Sequence, residues 1–461
     1  MGNYVNMEGV EAIMTDPLES PSTSTSRIES GMEGMRVDPS IFDQAMESLA
    51  IHADRPQKRP FDDLRDAGPP ADPPSFPQHR MQRGRRADVC VCNPETRDVG
   101  RAKNVLFCVG DGAGEEAIYN VSRAYWPVPA KKTMKTIMGH VEICHVLTRK
   151  IRSKKDCYES DSDDSHDDDS FEDDEIMFDL TSDLVAIKVC YTQRMSRYRN
   201  RHAENPLTEV SAMQVIGKDH PNVVGCLEVL FDGANLNVVL PYYGGGDLFE
   251  QLTDPQHRVS QRDPGIPEAQ ARFWFRQLIN GVAHLQAKGV SHRDISPENV
   301  MLDGTTLVII DMGMCIQIPY SHANGTTETA DRANGTDRRL IKPQGTCGKN
   351  PYMSPEIFLN KDPFDGHAVD IWTLGTILFC MLTGNTSYQI PHPTDAQFYW
   401  MTEGLPNLLD QWGVVLSPEG QDLLKRILTV DPRERSTLEE IQNHPWMQNV
   451  DVPLDMAPDW R

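Results

Sequence analysis

A short polar segment, residues 292–299, reads His-Arg-Asp-Ile-Ser-Pro-Glu-Asn and places the carboxylate of Asp294 five residues before the amide of Asn299. Asp294 is a candidate for accepting a hydroxyl proton, and Asn299 is a candidate magnesium ligand. A second carboxylate, Asp311, ends the apolar run in Ile-Ile-Asp-Met-Gly and is a candidate ligand for the same metal. Any one of these carboxylates could simply be a surface charge. The ordered set indicates phosphoryl transfer, which depends on positioned charge.

A lysine closes the apolar run Val185-Ala186-Ile187-Lys188. Such a lysine is by itself an ordinary solvated strand end. Glu209 follows on a segment, Asn205 to Ile216, whose pattern predicts a helix. A lysine held by a helix glutamate is placed to contact nucleotide phosphates, so we predict that these two residues pair.

The elements that must position these residues fall into two parts. Leu184 to Tyr191, Val223 to Phe231 and Leu236 to Tyr243 are apolar runs of strand length, and the last two are separated by the turn pair Asp232-Gly233. After Gly244-Gly245-Gly246 the pattern is mostly helical. The sequence therefore predicts a small strand-rich lobe followed by a larger helical lobe.

These motifs resemble the eukaryotic protein kinase superfamily, serine/threonine type, over about residues 130–447. Ser354-Pro355-Glu356 with Arg435 resembles a buried ion pair of the family, and Asp370-Ile371-Trp372 resembles the helix that anchors the catalytic loop. Asn443 to Trp446 is similar to the C-terminal part of calcium/calmodulin-dependent-type kinases. The resemblance implies an α+β, two-lobed protein kinase fold, with one helix in the β-rich N-lobe and a mainly helical C-lobe.

The resemblance also implies ATP and magnesium as cofactors and proteins as substrates. It assigns a site residue by residue. The implied catalytic residues are Asp294, Lys188 and Glu209, to which we add Lys349 as a hypothesis of our own; the implied ATP-binding residues are Lys188, Gly139, Val141, Ala186, Leu240, Pro241, Tyr243, Asp247 and Met301; the implied metal ligands are Asn299 and Asp311.

The glycine-rich loop of the family has two candidates here. Val109 to Gly114 has the glycines but lies far before Lys188, whereas Ile137 to Ile143 keeps only the last glycine and the following valine of the motif. We favour the second candidate, because removal of an acidic insertion leaves an ordinary strand-loop-strand distance to the lysine. Fewer glycines predict fewer backbone amides near the phosphates.

Three further positions depart from the family. Met312 replaces the Phe of the Asp-Phe-Gly motif, which is a tolerated apolar exchange. Ser296 stands where serine/threonine kinases have a lysine, and Lys349 stands where they have a threonine. We hypothesise that Lys349 reaches back to supply the missing cation. The alternative is that it points to solvent and the enzyme is slow or inactive.

The predicted domain organisation follows composition. Pro, Ser and Asp-rich residues 1–95 predict a disordered arm, and 96–130 an extension packed on the small lobe or leading into it. The kinase domain is predicted at 131–447, with the N-lobe to about 243 and the C-lobe at 244–447. Residues 152–181 are predicted to be an acidic disordered insertion between two strands, and 448–461 a short tail.

The formal net charge of −23 disfavours nucleic acid and anionic membranes as partners. Ten scattered cysteines predict reduced thiols, no signal peptide is apparent, and the apolar run Ile371 to Leu382 is too short to cross a membrane. We expect an intracellular, cytoplasmic protein. The arginines between Arg80 and Arg86 allow nuclear access or are a solvated linker.

Regulation and specificity can be predicted only coarsely. Arg293 suggests control by an upstream kinase acting on the activation segment, residues 311–356, with five candidate threonines. Glu298 and Asp247 hint at basic substrate sites. A catalytically impaired pseudokinase scaffold and a kinase of small molecules are the competing interpretations. The candidate threonines are Thr326, Thr327, Thr329, Thr336 and Thr346.

Overall fold

Apolar residues that alternate along extended segments build one large sheet in the first half of the chain. The structure is a computed structural model that describes residues 71–96, 98–109, 123–128, 131, 133–149, 177–198, 204–254, 265–321 and 337–449. The strands of this sheet are β1 (Gln82–Cys92), β2 (Val99–Cys108), β3 (Arg123–Pro127), β4 (Met134–Lys135), β5 (Gly139–Arg149), β6 (Met177–Tyr191), β7 (Glu228–Phe231) and β8 (Asn235–Pro241).

The strand order is β3-β2-β1-β7-β8-β6-β5-β4, and β3 also pairs with β5 while β1 also pairs with β6. Strands β1, β2, β3, β5 and β6 therefore form a closed ring. Its interior is apolar and includes Val105, Phe107, Ala124, Leu147 and Phe178, none more than 1% exposed. Closure pairs strand edges that would otherwise be open to another chain.

The ring corrects the predicted N-terminal boundary. The arm was predicted to extend to residue 95, but β1 begins at Gln82, and residues from Ala71 onward already make backbone hydrogen bonds. Residues 1–70 of the predicted arm lie outside the described residues. The extension predicted at 96–130 contributes β2 and β3, so it is an integral part of the small lobe.

The acidic insertion separates two strands that pair with each other. Arg149 at the end of β5 lies opposite Phe178 near the start of β6. Residues 177–181, which the prediction included in the insertion, belong to β6, because Met177 and Phe178 are buried in the sheet. Residues 150–176 lie outside the described residues.

Helix α2 (Pro206–Ile216) lies in the small lobe and is capped at both ends. The Asn205 side chain accepts a hydrogen bond from the backbone N–H of Leu207, and Gly217 ends the helix with a positive φ of 85°. These are favoured residue types at the two ends of a helix. The two helices of this lobe are α1 (Thr192–Tyr198) and α2 (Pro206–Ile216).

The large lobe is helical and packs around α6 (Gly366–Thr383), in which every residue except Ala368 is buried. By length and composition α6 is the one described helix that could span a membrane, but 94% of its apolar window is buried inside the protein. The helices are α3 (Leu248–Thr253), α4 (Glu268–Ala287), α5 (Pro355–Leu359), α6 (Gly366–Thr383), α7 (Ala396–Glu403), α8 (Leu405–Trp412), α9 (Pro418–Ile427), α10 (Leu438–Gln442) and α11 (Pro445–Gln448).

Short strands between α4 and α5 carry the loops of the site. A 3₁₀ turn at Pro297–Asn299 precedes β10 (Val300–Asp303), and another at Met312–Met314 follows β11 (Thr306–Ile309). The structure thus has the two lobes that the sequence predicts. The short strands are β9 (Val290–Ser291), β10 (Val300–Asp303), β11 (Thr306–Ile309), β12 (Ile316–Gln317), β13 (Tyr320–Ser321) and β14 (Asp337–Arg338).

Candidate active site

Lys188 is fixed by its place in the middle of the sheet. β6 lies between β5 and β8, and Lys188 is in register with Val141 on one side and Val238 on the other. Its Nζ donates hydrogen bonds to both carboxylate oxygens of Glu209, at 3.0 and 2.9 Å. The two residues are only 7% and 2% exposed. The structure therefore brings together the lysine and the glutamate that the sequence pairs.

Two further carboxylates approach the same ammonium group. Asp311 Oδ1 lies 3.3 Å and Glu204 Oε1 3.6 Å from Lys188 Nζ. Burial opposes the charge of Lys188, but Asp311, Glu209 and Glu204 together raise its pKa well above the usual value. Lys188 is accordingly a permanent cation in the cleft.

Asp311 leaves β11 in an unusual backbone conformation. Its φ is 64°, in the left-handed region that residues other than glycine seldom adopt, and its carboxylate accepts a hydrogen bond from Gly313 N. The Asp311 side chain is 40% exposed, in contrast to its buried neighbours. Lys188 lowers the pKa of Asp311, so its carboxylate is ionised at neutral pH.

The catalytic loop, residues 292–299, is bonded to α6. The backbone N–H groups of His292 and Arg293 donate to the two oxygens of Asp370, each at 2.8 Å. The His292 side chain donates from Nε2 to the Ile310 carbonyl at 3.0 Å. Burial lowers the pKa of His292, which keeps the ring neutral. The loop is thus held by a buried helix on one side and by the strand leading to Asp311 on the other.

Asp294 is held from two sides. Asn299 Nδ2 donates to the Asp294 carbonyl at 2.9 Å and to its Oδ2 at 3.1 Å, while the Lys349 backbone N–H donates to Oδ1 at 3.2 Å. Burial raises the pKa of Asp294 to about 6, and Lys349 opposes that shift. At neutral pH the carboxylate is mostly ionised and can accept a proton.

The side chain of Lys349 reaches into the catalytic loop. Its Nζ donates to Ser296 Oγ at 2.7 Å and lies 3.4 Å from Glu298 Oε2. The hypothesis from sequence was that Lys349 turns toward the position where Ser296 replaces a lysine. The structure has this contact, and the solvent-directed alternative does not describe the side chain.

The predicted adenine site forms one face of the sheet. In paired antiparallel strands, residues opposite each other point to the same side. Ala186 lies opposite Leu240 on β8, and Lys188 lies opposite Val141 on β5, so all four side chains share one face. Val141, Ala186 and Leu240 are only partly buried, so they offer an apolar floor beside Lys188.

The connection between the lobes carries the other predicted nucleotide contacts. Pro241 ends β8, and Tyr243 follows it. The Asp247 side chain caps α3 by accepting a hydrogen bond from Glu250 N, and its backbone forms a β-bridge with Met301 on β10. Burial raises the pKa of Asp247 to about 6. These predicted residues therefore lie along one path from the sheet to the catalytic loop.

Gly139 has a structural role of its own. A Cβ atom there would lie 1.8 Å from the Val189 carbonyl oxygen, so glycine is required for β5 to approach β6. Thr136 closes the preceding turn by accepting from Gly139 N and donating its own N–H to the Gly139 carbonyl. This turn leads into β5, on which Val141 lies opposite Lys188. The other glycine-loop candidate lies, after Val109, outside the described residues.

Asn299 and Asp311 fit a magnesium ion by their donor chemistry. The Asn299 amide nitrogen is used on Asp294, which leaves its oxygen as an acceptor, and Asp311 presents an ionised carboxylate. Hard oxygen donors of this kind suit magnesium.

One ion pair near the site was predicted from the sequence, and one contact in the site was missed. The predicted ion pair is confirmed, because Arg435 contacts both oxygens of Glu356 at 2.8 and 3.1 Å. Glu204 was missed as a neighbour of Lys188. Its position directly before the Asn205 helix cap was the available signal.

Comparison with known proteins places these residues in a family. Residues 175–447 match the protein kinase domain family. Serine/threonine-protein kinase SAPK9 of Oryza sativa is 33% identical over 247 residues, which are 52% of this chain and 60% of that protein. Serine/threonine-protein kinase CHK1 of Saccharomyces cerevisiae is 30% identical over 249 residues, 53% of this chain and 42% of that protein.

A human protein, SNF-related serine/threonine-protein kinase, is 30% identical over 275 residues, 59% of this chain and 31% of that protein. The chain thus spans between about a third and three fifths of the length of these relatives. The shared region contains both the Lys188 strand and the catalytic loop.

Proposed function

Because this chain belongs to the protein kinase family, we propose that it transfers the γ-phosphate of ATP to serine or threonine hydroxyls of protein substrates. One observation carries the proposal. Lys188 Nζ contacts Glu209 in the small lobe and Asp311 beside the catalytic loop, at 2.9 and 3.3 Å. This contact joins the two halves of a phosphoryl-transfer site in one arrangement.

Each residue then has a role that its surroundings support. Lys188, oriented by Glu209, binds the nucleotide phosphates. Asp294, held by Asn299, orients the substrate hydroxyl and takes its proton. Asn299 and Asp311 would hold magnesium, which when bound neutralises charge on the phosphates.

Lys349 completes this proposal as the cation of the catalytic loop. Its backbone binds Asp294 and its ammonium group binds Ser296, so a positive charge lies beside the proton acceptor. A positioned cation stabilises the charge that develops on a transferring phosphoryl group. Glu298, the other contact, keeps the ammonium group at the loop.

Substrate preference is proposed from charge. Burial raises the pKa of Asp247 to about 6, and the nearby carboxylates of Glu250 and Glu298 add to that shift, so acidic groups are close together here. We propose that substrates carry arginine or lysine near the target hydroxyl. The names of the relatives support serine and threonine as acceptors.

Regulation and location are also proposed. An upstream kinase would act on the activation segment through Arg293; all its candidate threonines except Thr346 lie outside the described residues. An intracellular location is supported by the free thiols of Cys144, Cys190 and Cys380, since disulfides are rare in reducing compartments.

The test measures transfer of labelled phosphate from ATP, in the presence of magnesium, to a basic protein. It compares the full chain with the variants Asp294→Asn and Asp303→Asn. Asp303 is an exposed aspartate at the end of β10 and serves as the matched control. We expect transfer by the full chain and by Asp303→Asn, and a loss of at least about a hundredfold in Asp294→Asn.

The pseudokinase alternative gives a different result in the same assay. Equal background from all three proteins, before and after treatment with a cell extract containing ATP, together with a thermal shift on adding nucleotide, would establish a nucleotide-binding scaffold. Labelling of a small molecule in preference to every protein offered would favour the other alternative.

A further inference from the structure

A segment before the first strand runs from the large lobe to helix α2. We call residues 71–81 the strap. At its first end, Ala71 N donates to the Leu340 carbonyl and Lys342 N donates to the Ala71 carbonyl, both at 3.0 Å. The intervening Ile341 is fully buried and pairs on its other side with Phe364. The strap therefore begins with a single parallel β-bridge to the activation segment.

The other end of the strap is bonded to α2. Gln214 acts through its side-chain amide: Oε1 accepts from Arg80 N at 2.9 Å, and Nε2 donates to the Arg80 carbonyl at 2.8 Å. His79 Nδ1 lies 3.3 Å from Ser211 Oγ. Two polar residues of the helix thus bind the backbone and a side chain of the strap before it enters β1.

An aromatic residue packs between the two ends. Phe76 is partly buried and contacts the main apolar core, which includes Val210, Met213 and Met312. The strap is therefore attached at three points, two polar and one apolar, over eleven residues.

The strap covers the side of α2 that faces away from Lys188. At 100° per residue, Ser211 and Gln214 point about 200° and 140° from Glu209, so they lie on the opposite face. Four consecutive residues, Glu209 to Ala212, are all buried. Since four residues complete a full turn, α2 is covered on every side at this turn, and the strap supplies part of the outer cover.

From this arrangement we propose that the strap is a positioning element, which holds α2 against the sheet so that Glu209 stays on Lys188, and which links that position to the activation segment at Ile341. The inference rests on the proposed function for its effect on catalysis. Its effect on α2 itself does not depend on any activity.

The chemistry of Glu209 explains why such support is needed. Its carboxylate is 2% exposed, and burial of a charge is unfavourable unless a partner remains in place. Any outward movement of α2 would separate Glu209 from Lys188 and admit water between them. A segment that resists this movement from the outer face favours the paired state.

The experiment compares full-length variants. Phe76→Ala with Gln214→Ala removes the apolar contact and both hydrogen bonds to Arg80, and Gln78→Ala changes an exposed residue of the same strap. Each is made in the natural background and with Glu209→Gln. We measure kcat and KM for ATP, and hydrogen exchange of the backbone amides of α2 and α6.

We expect the double variant to lose about tenfold in kcat/KM for ATP in the natural background and less than about twofold with Glu209→Gln, because the strap acts through that carboxylate. Exchange should accelerate in α2 and stay unchanged in α6. Gln78→Ala should match the natural protein in both measurements.

Equal losses in the two backgrounds, or a loss without faster exchange in α2, would overturn the proposal. If the natural protein transferred no phosphate at all, the proposed function would fail while the exchange of α2 still decided the role of the strap. Unchanged exchange in the double variant would then refute it.

Discussion

The carboxylate of Asp294 is surrounded by donors that orient it without neutralising it. Asn299 binds one oxygen and the Lys349 backbone binds the other. Desolvation favours the protonated acid, whereas these donors and the Lys349 charge favour the ionised form. The balance sets a proton affinity between that of an exposed aspartate and that of neutral histidine, which suits a residue that must take a proton near pH 7.

This balance predicts a pH dependence. Because burial raises the pKa of Asp294 to about 6, the active ionised form is lost as the pH falls through that region. We expect kcat to decline with a midpoint nearer 6 than the value of about 4 for an exposed aspartate. Turnover between pH 5 and 8 measures it. Thermal melting at each pH serves as the control, and a flat profile with a folded protein would contradict the assignment.

Removal of the Lys349 charge should have two measurable effects. In Lys349→Ala we expect kcat to fall about a hundredfold, because a cation near the transferring group is lost. The acid midpoint should also rise, since Lys349 opposes protonation of Asp294.

Lys361→Ala, a change at an exposed lysine, is the matched control for Lys349 and should have no effect. Adding Ser296→Lys to Lys349→Ala should recover most of the turnover, because it restores a lysine to the catalytic loop. Near-natural turnover by Lys349→Ala would exclude the role.

The Lys349 contact could be predicted from sequence, because the catalytic loop lacks the lysine of the family and the activation segment has an extra one. These two segments must meet at the site. The contact of Glu204 with Lys188 was missed, because its only signal in the sequence is its place directly before the Asn205 helix cap. Its position depends on how α2 is set against the sheet, which is a tertiary effect.

At the scale of elements, β6 does most to position the site. It pairs with β5, β8 and β1, so a shift in any neighbour moves Lys188. The approach of β5 to β6 is unusually close at Gly139, because the Val189 carbonyl oxygen lies where a Cβ atom would be in any other residue.

Gly139→Ala should therefore destabilise the small lobe. The added methyl group would overlap the Val189 carbonyl and force β5 outward, at a cost of about 2–3 kcal/mol, as in other overpacked sites. We also expect a higher KM for ATP, because Val141 and Lys188 share this pairing. Chemical denaturation gives the stability.

Gly100→Ala is the matched control for Gly139, because this glycine also lies in a strand and a Cβ there would meet nothing within 4 Å. It should change stability by less than about 0.5 kcal/mol. Equal effects of the two substitutions would show that close approach is not the reason for glycine at 139.

Sequence patterns predicted the strand around Lys188 and helix α2, where apolar periodicity and caps are clear. They did not predict β1, whose first half is rich in arginine and glycine. That strand pairs antiparallel with β2 along most of its length and is joined in parallel to β6 and β7, which are distant in the sequence. Local composition carries no information about such partners, so the arm was predicted to continue too far.

At the scale of the whole molecule, charge is concentrated in one insertion. Residues 151–176 contain twelve acidic and three basic residues, so removing them changes the formal net charge from −23 to −14. The strands on either side are already paired at Arg149 and Phe178. The fold therefore needs only a short connection at this point.

Replacing residues 151–176 by four glycine and serine residues should stabilise the protein. Shortening this loop lowers the entropic cost of closing it by about 1–2 kcal/mol, because each halving of the length reduces that cost by about 0.6 kcal/mol. Removing like charges adds a stabilisation that salt screens.

A neutral replacement of the original length separates the two effects: it should show only the salt-dependent part of the stabilisation in thermal melting. Activity toward a neutral peptide should stay within about twofold, since the insertion leaves β5 at the end of the strand remote from Val141. A drop in stability in the short variant at both low and high salt would instead mean that the insertion itself supports the fold.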